Sequence, residues 1–169
     1  ELRGALVAQG FTFDSVEPVV VQHSTDRQTI KGLFRLRDGN EVEAVLMQHH
    51  GERNTVCISS QSGCAYACAF CSTGQAGFTR HLTPTEIFDQ ARYFARLLHA
   101  QGRKITNIVF MGMGEPLHNL DNVGRAVRVL CHPAGLGIAP SRITVSTSGL
   151  VPGIDRLATL VPRPLLAVS

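Results

Sequence analysis

Three thiols stand close together at Cys64, Cys68 and Cys71, spaced four and then three residues apart in Cys64-Ala65-Tyr66-Ala67-Cys68-Ala69-Phe70-Cys71. Thiolates at that spacing can converge on one centre. Three of them hold three irons of a cubane cluster and leave the fourth iron open to a ligand from outside the protein. A structural zinc ion asks instead for four protein ligands in a closed tetrahedron. Cys57, seven residues before Cys64, is a chemically possible fourth ligand. Zinc knots usually bring their ligands as two close pairs, whereas here three thiols cluster and Cys57 sits in a strand-like run. The open cubane is the stronger reading, and a zinc-stabilised module is the alternative. Five cysteines, three of them bunched, also point to a reducing compartment, since a disulfide framework would space them out.

Two further stretches carry chemistry. Gly112-Met113-Gly114-Glu115-Pro116 removes side chains where a backbone must approach a ligand, adds a carboxylate at Glu115, and stiffens the exit with proline. Taken alone it reads equally well as an ordinary strand-to-helix turn. Ser146-Thr147-Ser148-Gly149 offers hydroxyls, or is simply a polar loop. The histidines His49, His50, His81, His99, His118 and His132 show no ligand spacing and are expected on the surface or in loops. Arg80, Arg92, Arg96, Arg103 and Lys104 are candidates for phosphate contacts, although a solvated helix face is the commoner use. Cys131 is expected as a helix-end core residue.

These residues need positioning elements. Residues 1–22 are weakly patterned, and Pro18 breaks any helix there. Residues 28–47 read as an antiparallel hairpin, with Ile30, Phe34 and Leu36 on one arm, the turn Asp38-Gly39-Asn40, and Val42, Ala44 and Leu46 on the other. Lys31, Arg35, Arg37, Glu41 and Glu43 fall mostly on the opposite face, where cross-strand ion pairing is their default role. Residues 55–59 predict a first buried strand, followed by the polar bend Ser59-Ser60-Gln61-Ser62-Gly63 and the cysteine loop. Thr83, Pro84 and Glu86 are a capping-box start for a helix that ends before Gly102. Strands are expected at 105–111, 142–146 and 165–169, with helices from Asn119 or Asp121 to Leu130 and over 154–160. Repeated β–α units imply a parallel sheet with helices outside it, the first part of a barrel. Chemistry in such a barrel gathers at the C-terminal strand ends, which puts the cysteine loop, residues 112–116, residues 146–149 and Ser169 on one rim.

The 169 residues suffice for one domain with a real core, and the division expected is a linker and hairpin region over 1–50 and a truncated barrel core over 51–169. Hydrophobic residues at 44% and charged residues at 17% exclude a disordered chain. A net charge of +3 is compatible with an RNA partner without demanding one. No apolar run is long enough to span a bilayer, and no signal segment opens the chain, so a cytoplasmic protein with no membrane partner is expected. Glu1 and the strand-like 165–169 make both ends look cut from a longer protein.

Taken in order, residues 57–64, the cysteine motif, residues 71–80, Ile105-Thr106-Asn107-Ile108, residues 112–116 and residues 145–149 resemble the RlmN/Cfr family of radical S-adenosylmethionine (SAM) RNA methyltransferases. The likeness runs from about Gln28 to Ser169, and the widespread housekeeping branch is the better match. It implies a partial radical SAM barrel, α/β in class, preceded by an N-terminal β-hairpin. It implies a [4Fe-4S] cluster on Cys64, Cys68 and Cys71, and SAM held at Gly114, Glu115, Ser146 and Ser169. The implied reaction methylates carbon 2 of adenosine in 23S rRNA and in tRNA. One SAM methylates a cysteine beyond Ser169, and a second yields a deoxyadenosyl radical that activates that methyl group. Carbon 2 is not nucleophilic, so a carbon radical adds where polar transfer would be slow, and the cofactor carries that chemistry. Cys57 matches the family's second catalytic cysteine, acting as base and then resolving the protein–RNA adduct by forming a disulfide; a buried strand thiol is its plain alternative. Glu43 aligns with a family acidic residue proposed as a proton acceptor, with a one-residue difference in loop length. The resemblance further implies a flavodoxin- or ferredoxin-like reductant and a monomer. These residues alone are expected to bind a cluster without completing methyl transfer. Methylation of carbon 8 in the manner of the resistance enzymes is the alternative within the family.

Overall fold

The computed structural model describes residues 2–49, 51–66 and 68–169, leaving Glu1, His50 and Ala67 outside. Its frame is a seven-stranded sheet in the order β1 (Val16–His23), β2 (Thr29–Leu36), β3 (Glu41–Gln48), β4 (Asn54–Cys57), β7 (Asn107–Phe110), β8 (Ile143–Thr147), β9 (Leu165–Val168). The N-terminal part departs from expectation. Helix α1 (Leu2–Ala8) and strand β1 (Val16–His23) occupy the stretch that read as unpatterned. Val16, Val19, Val20 and Val21 favour extended backbone. Pro18 is tolerated because β1 is an edge strand, and its pairing with β2 slips between Pro18 and Val20.

Strands β2 (Thr29–Leu36) and β3 (Glu41–Gln48) form the expected antiparallel hairpin, with Arg35 opposite Glu41. Arg35 and Glu41 pair at 3.1 Å, and Lys31 and Glu43 at 2.6 Å. With β1 the hairpin makes three antiparallel strands, and β4 adds a fourth. Strand β4 (Asn54–Cys57) pairs antiparallel with β3, placing Cys57 opposite Val45.

From β4 onward the sheet is parallel. Strands β5 (Gln61–Gly63) and β6 (Phe78–His81) form a separate two-stranded ribbon, with the short helix α2 (Ser72–Gln75) between them. Helix α3 (Pro84–His99) starts with the full capping box between Thr83 and Glu86. Strand β7 (Asn107–Phe110), helix α4 (Leu120–Cys131), strand β8 (Ile143–Thr147), helix α5 (Val151–Ala158) and strand β9 (Leu165–Val168) complete the alternation. β4, β7, β8 and β9 pair in parallel register.

Alternation along the strands sorts side chains to two faces. Val42, Ala44, Leu46, Val56, Ile108, Phe110 and Val145 join Ile87, Phe94, Leu98, Val123 and Val127 of the helices in the core. The other face carries Glu43, Val45, Cys57, Val109, Thr144 and Ser146, all half-buried. Cys131 ends α4 and packs against the core as expected. No helix among the described residues is long and apolar enough to cross a membrane.

Candidate functional site

Residues 58–61 leave β4 at the rim and are sewn to the loop after β7. Gly112 N–H donates to the Ile58 carbonyl at 3.2 Å, and Ser60 and Gln61 N–H both donate to the Met113 carbonyl at 2.9 and 3.2 Å. Met113 N–H donates to Ser59 Oγ at 2.8 Å, and the Gln90 amide brackets Ser59 N–H and C=O at 2.9 and 3.1 Å. The expected polar bend is therefore a buried seam. Ser59, Ser60, Gln61 and Ser62 are almost fully enclosed, where polar groups need protein partners.

The ribbon closes the base of the cysteine loop. Cys64 N–H donates to the Gly77 carbonyl at 2.9 Å, and Leu82 N–H donates to the Ser60 carbonyl at 3.1 Å. Gly63 sits at φ +73, where a Cβ would run into the Gly77 carbonyl oxygen. Arg80 on β6 holds Glu86 through two bonds of 2.9 and 2.8 Å and also binds Asp38 of the β2–β3 turn. It is a structural fork that ties β6 to α3 and to the β2–β3 turn. Arg92 and Arg96 are likewise paired with Asp14, Arg92 also with Asp89.

Between loop and rim lies a cavity of about 330 Å³, lined by Cys64, Cys68, Cys71, Tyr66 and Phe70 on one side and by Met111, Gly112, Gly114, Glu115, Ser146, Ser148 and Ser169 on the other. Ser146 and Ser169 share a hydrogen bond of 3.0 Å between their hydroxyls. Glu115 is buried, with Oε1 accepting from Leu117 N–H at 2.9 Å and Oε2 from Ser148 N–H and Oγ at 2.9 and 3.1 Å. One acceptor position on Oε1 remains for a ligand. Burial pushes the Cys64 thiol up, and the neighbouring Cys71, Cys68 and Glu115 add to the rise.

Cys57 and Glu43 do not line this cavity. They share the half-buried sheet face one strand away, since Val45 opposes Cys57 and Glu43 lies two residues along β3 from Val45. Burial pushes the Cys57 thiol up, against a smaller pull from Met111 N–H. Glu43 is about half exposed and paired with Lys31. All five cysteines are free thiols.

Among the described residues, no three Cys, His, Asp or Glu side chains stand close enough to share one metal ion, so the four-thiolate zinc knot is not assembled. A cubane is gripped at its outer corners, which keeps its thiolates farther apart than the ligands of a single ion. The residues present suit such a group: three soft donors on one wall, no fourth protein thiol in the cavity, and a glycine cradle opposite. The volume falls in the range of small-ligand pockets. Sequence reasoning missed Gln61, Ser59, Gln90 and Asn119, which organise the rim. Asn119 occupies the N-cap position of α4, but its amide donates to the Ser60 and Leu82 carbonyls at 2.8 and 2.9 Å and makes no capping bond. For Ser59 and Gln61 the signal available was four polar residues in a row after a buried strand.

A parallel half-barrel with a three-thiol loop at its rim defines the class, and the chain belongs to the radical SAM superfamily, whose family model matches residues 58–169. That membership implies a [4Fe-4S] cluster and SAM. The chain is 54% identical over 86% of its length to the dual-specificity RNA methyltransferase RlmN 1 of Myxococcus xanthus, covering 40% of that protein. It is 43% identical over its full length to the ribosomal RNA large subunit methyltransferase N of Nitrosopumilus maritimus, covering 50% of it. A radical SAM methyltransferase from Sphaerobacter thermophilus superposes with a TM-score of 0.92 at 48% identity, over 99% of this chain and 48% of that one. The chain thus spans half or less of the proteins it resembles here.

Proposed function

We propose that this chain is catalytic core of an RNA methyltransferase that methylates carbon 2 of adenosine in 23S rRNA and tRNA through a methylated cysteine. The observation that carries the reading is one cavity bringing together Cys64, Cys68, Cys71, Gly114, Glu115, Ser146 and Ser169 from separate segments. RNA methyltransferases among its relatives supply the substrate class. In this reading the three thiolates hold the cluster, and the cavity wall at Gly114 and Glu115 receives the SAM amino group at the free Oε1 position. Ser146 and Ser169, already bonded to each other, offer hydroxyls to the rest of the cofactor. Cluster and SAM together supply the carbon radical chemistry that an unreactive adenine carbon requires.

Cys57 and Glu43 serve the later proton and adduct steps from the adjoining sheet face. Burial favours the neutral thiol at Cys57, so its work as base needs the thiolate, with Glu43 the acceptor for its proton. The electron comes from an external flavodoxin- or ferredoxin-like protein.

Anaerobic reconstitution with iron and sulfide tests the reading. A brown protein that dithionite bleaches and that cleaves SAM to deoxyadenosine and methionine supports it. A colourless protein with stoichiometric zinc rejects it. Mass spectrometry of digested rRNA treated with the full-length protein locates the methyl group, and a carbon 8 product overturns the assigned position.

A further inference from the structure

Gln61 is fully buried and is the first residue of β5, yet its side chain bonds the glycine turn on one side and the ribbon beneath the cysteine loop on the other. Its Oε1 accepts from Glu115 N–H at 2.8 Å, and its Nε2 stands 3.0 Å from His81 Nδ1. The Glu115 N–H can only donate, which fixes the direction of the amide. Nε2 therefore donates to His81 Nδ1, and the imidazole carries its own proton on Nε2. His81 lies across the ribbon from Gln61, on the strand that closes the cysteine loop. Glu115 lies in the glycine turn opposite. The fit is close: a Cβ on Gly114, which sits at φ +95, would overlap the Gln61 side chain. The backbone repeats the link, through Gln61 N–H on the Met113 carbonyl.

We propose that Gln61 is a positioning residue for SAM: its side-chain amide completes the seam that sets the distance between the cysteine ribbon and the glycine turn. A cofactor that must reach an iron at one end and Glu115 at the other depends on that distance. The thiols themselves are held by the Gly63–Phe78 end of the ribbon and by Cys64 N–H on Gly77, so cluster assembly does not need Gln61. The proposal rests on the reading of this cavity as a SAM site.

The test uses the full-length, reconstituted protein. Gln61→Met preserves volume and removes both hydrogen bonds, and Gln61→Asn keeps an amide one methylene too short to reach Glu115. Both variants should match the wild type in iron content and visible absorbance. SAM dissociation constants from equilibrium dialysis should rise about tenfold, as expected for a buried N–H left unpaired. The change that SAM makes to the electron paramagnetic resonance signal of the reduced cluster should need correspondingly more SAM, and kcat at saturating SAM should stay within about twofold. Unchanged SAM affinity in the Asn variant overturns the proposal, as does loss of the cluster alongside SAM binding. A wild-type protein that fails to bind SAM instead refutes the reading of the cavity.

Discussion

Glu115 shows how a side chain that looks like a bare ligand is also a tie. Its two oxygens collect three donors, from Leu117 and Ser148, and so join the loops after β7 and β8. Glu115→Gln replaces one oxygen with an NH₂ that must face an N–H donor, at a cost of about 1–3 kcal/mol. Urea denaturation should show the lowered midpoint, and SAM affinity should fall with it; an unshifted midpoint would contradict the clamp. The cysteines behave differently: Cys64→Ala, Cys68→Ala and Cys71→Ala should each abolish the brown chromophore, whereas Cys57→Ala, off the cavity, should leave iron content and SAM cleavage intact. The three thiols were legible as a group because their spacing keeps residues 64, 68 and 71 in one loop, and they line one cavity. Gln61 was not, since a polar residue in a polar stretch reads as solvated until its neighbours enclose it. The same holds for Arg80, whose carboxylate partners Glu86 and Asp38 are apart from it in sequence.

At the scale of elements, the parallel β–α alternation and the capping box of α3 were readable from period and punctuation. Apolar strands and a Thr-Pro-x-Glu start leave few alternatives. The ribbon β5–β6 escaped because its residues carry no alternating apolar pattern; its pairing comes from the fold around it. Strand β1 escaped because Pro18 argues against any regular element except an edge strand. The ribbon has a testable role. Gly63→Ala puts a Cβ against the Gly77 carbonyl and forces a non-glycine residue into φ +73, a conformation that costs about 1–2 kcal/mol before any clash. The cysteine loop should then open at its base. Reconstituted iron should drop sharply although all three thiols are present, and full iron content in that variant would remove the ribbon from the cluster's support.

Across the whole molecule, α3 is the post to which distant segments are strapped. Asp14 and Ser15 reach Arg92, Arg96 and Asp89 from the N-terminal side, and Arg80 ties the cysteine ribbon and the β2–β3 turn to Glu86. The straps are charged, so acid loosens them in a definite order. His81 is held below the ordinary imidazole value, first by burial and then by His118, so the unfolded chain binds its proton first, and stability starts to fall as pH drops below about 6.5. The hydrogen bond from Arg80 holds Asp38 well below the usual carboxylate range. For Glu86, burial pushes upward, but Arg80 and Thr83 outweigh it and leave the carboxyl lowered. Both carboxylates thus add stability above the unfolded carboxylate range near pH 4, and that contribution disappears as pH falls through it toward the folded values. Melting temperatures followed by circular dichroism should decline slightly from pH 7 to 5 and steeply below pH about 4. Arg80→Met should melt lower at pH 7 and lose most of the steep acid limb, because Glu86 and Asp38 no longer hold their protons off. An acid limb as steep in Arg80→Met as in the wild type would mean that the fork at Arg80 does not tie the cysteine ribbon to the helix.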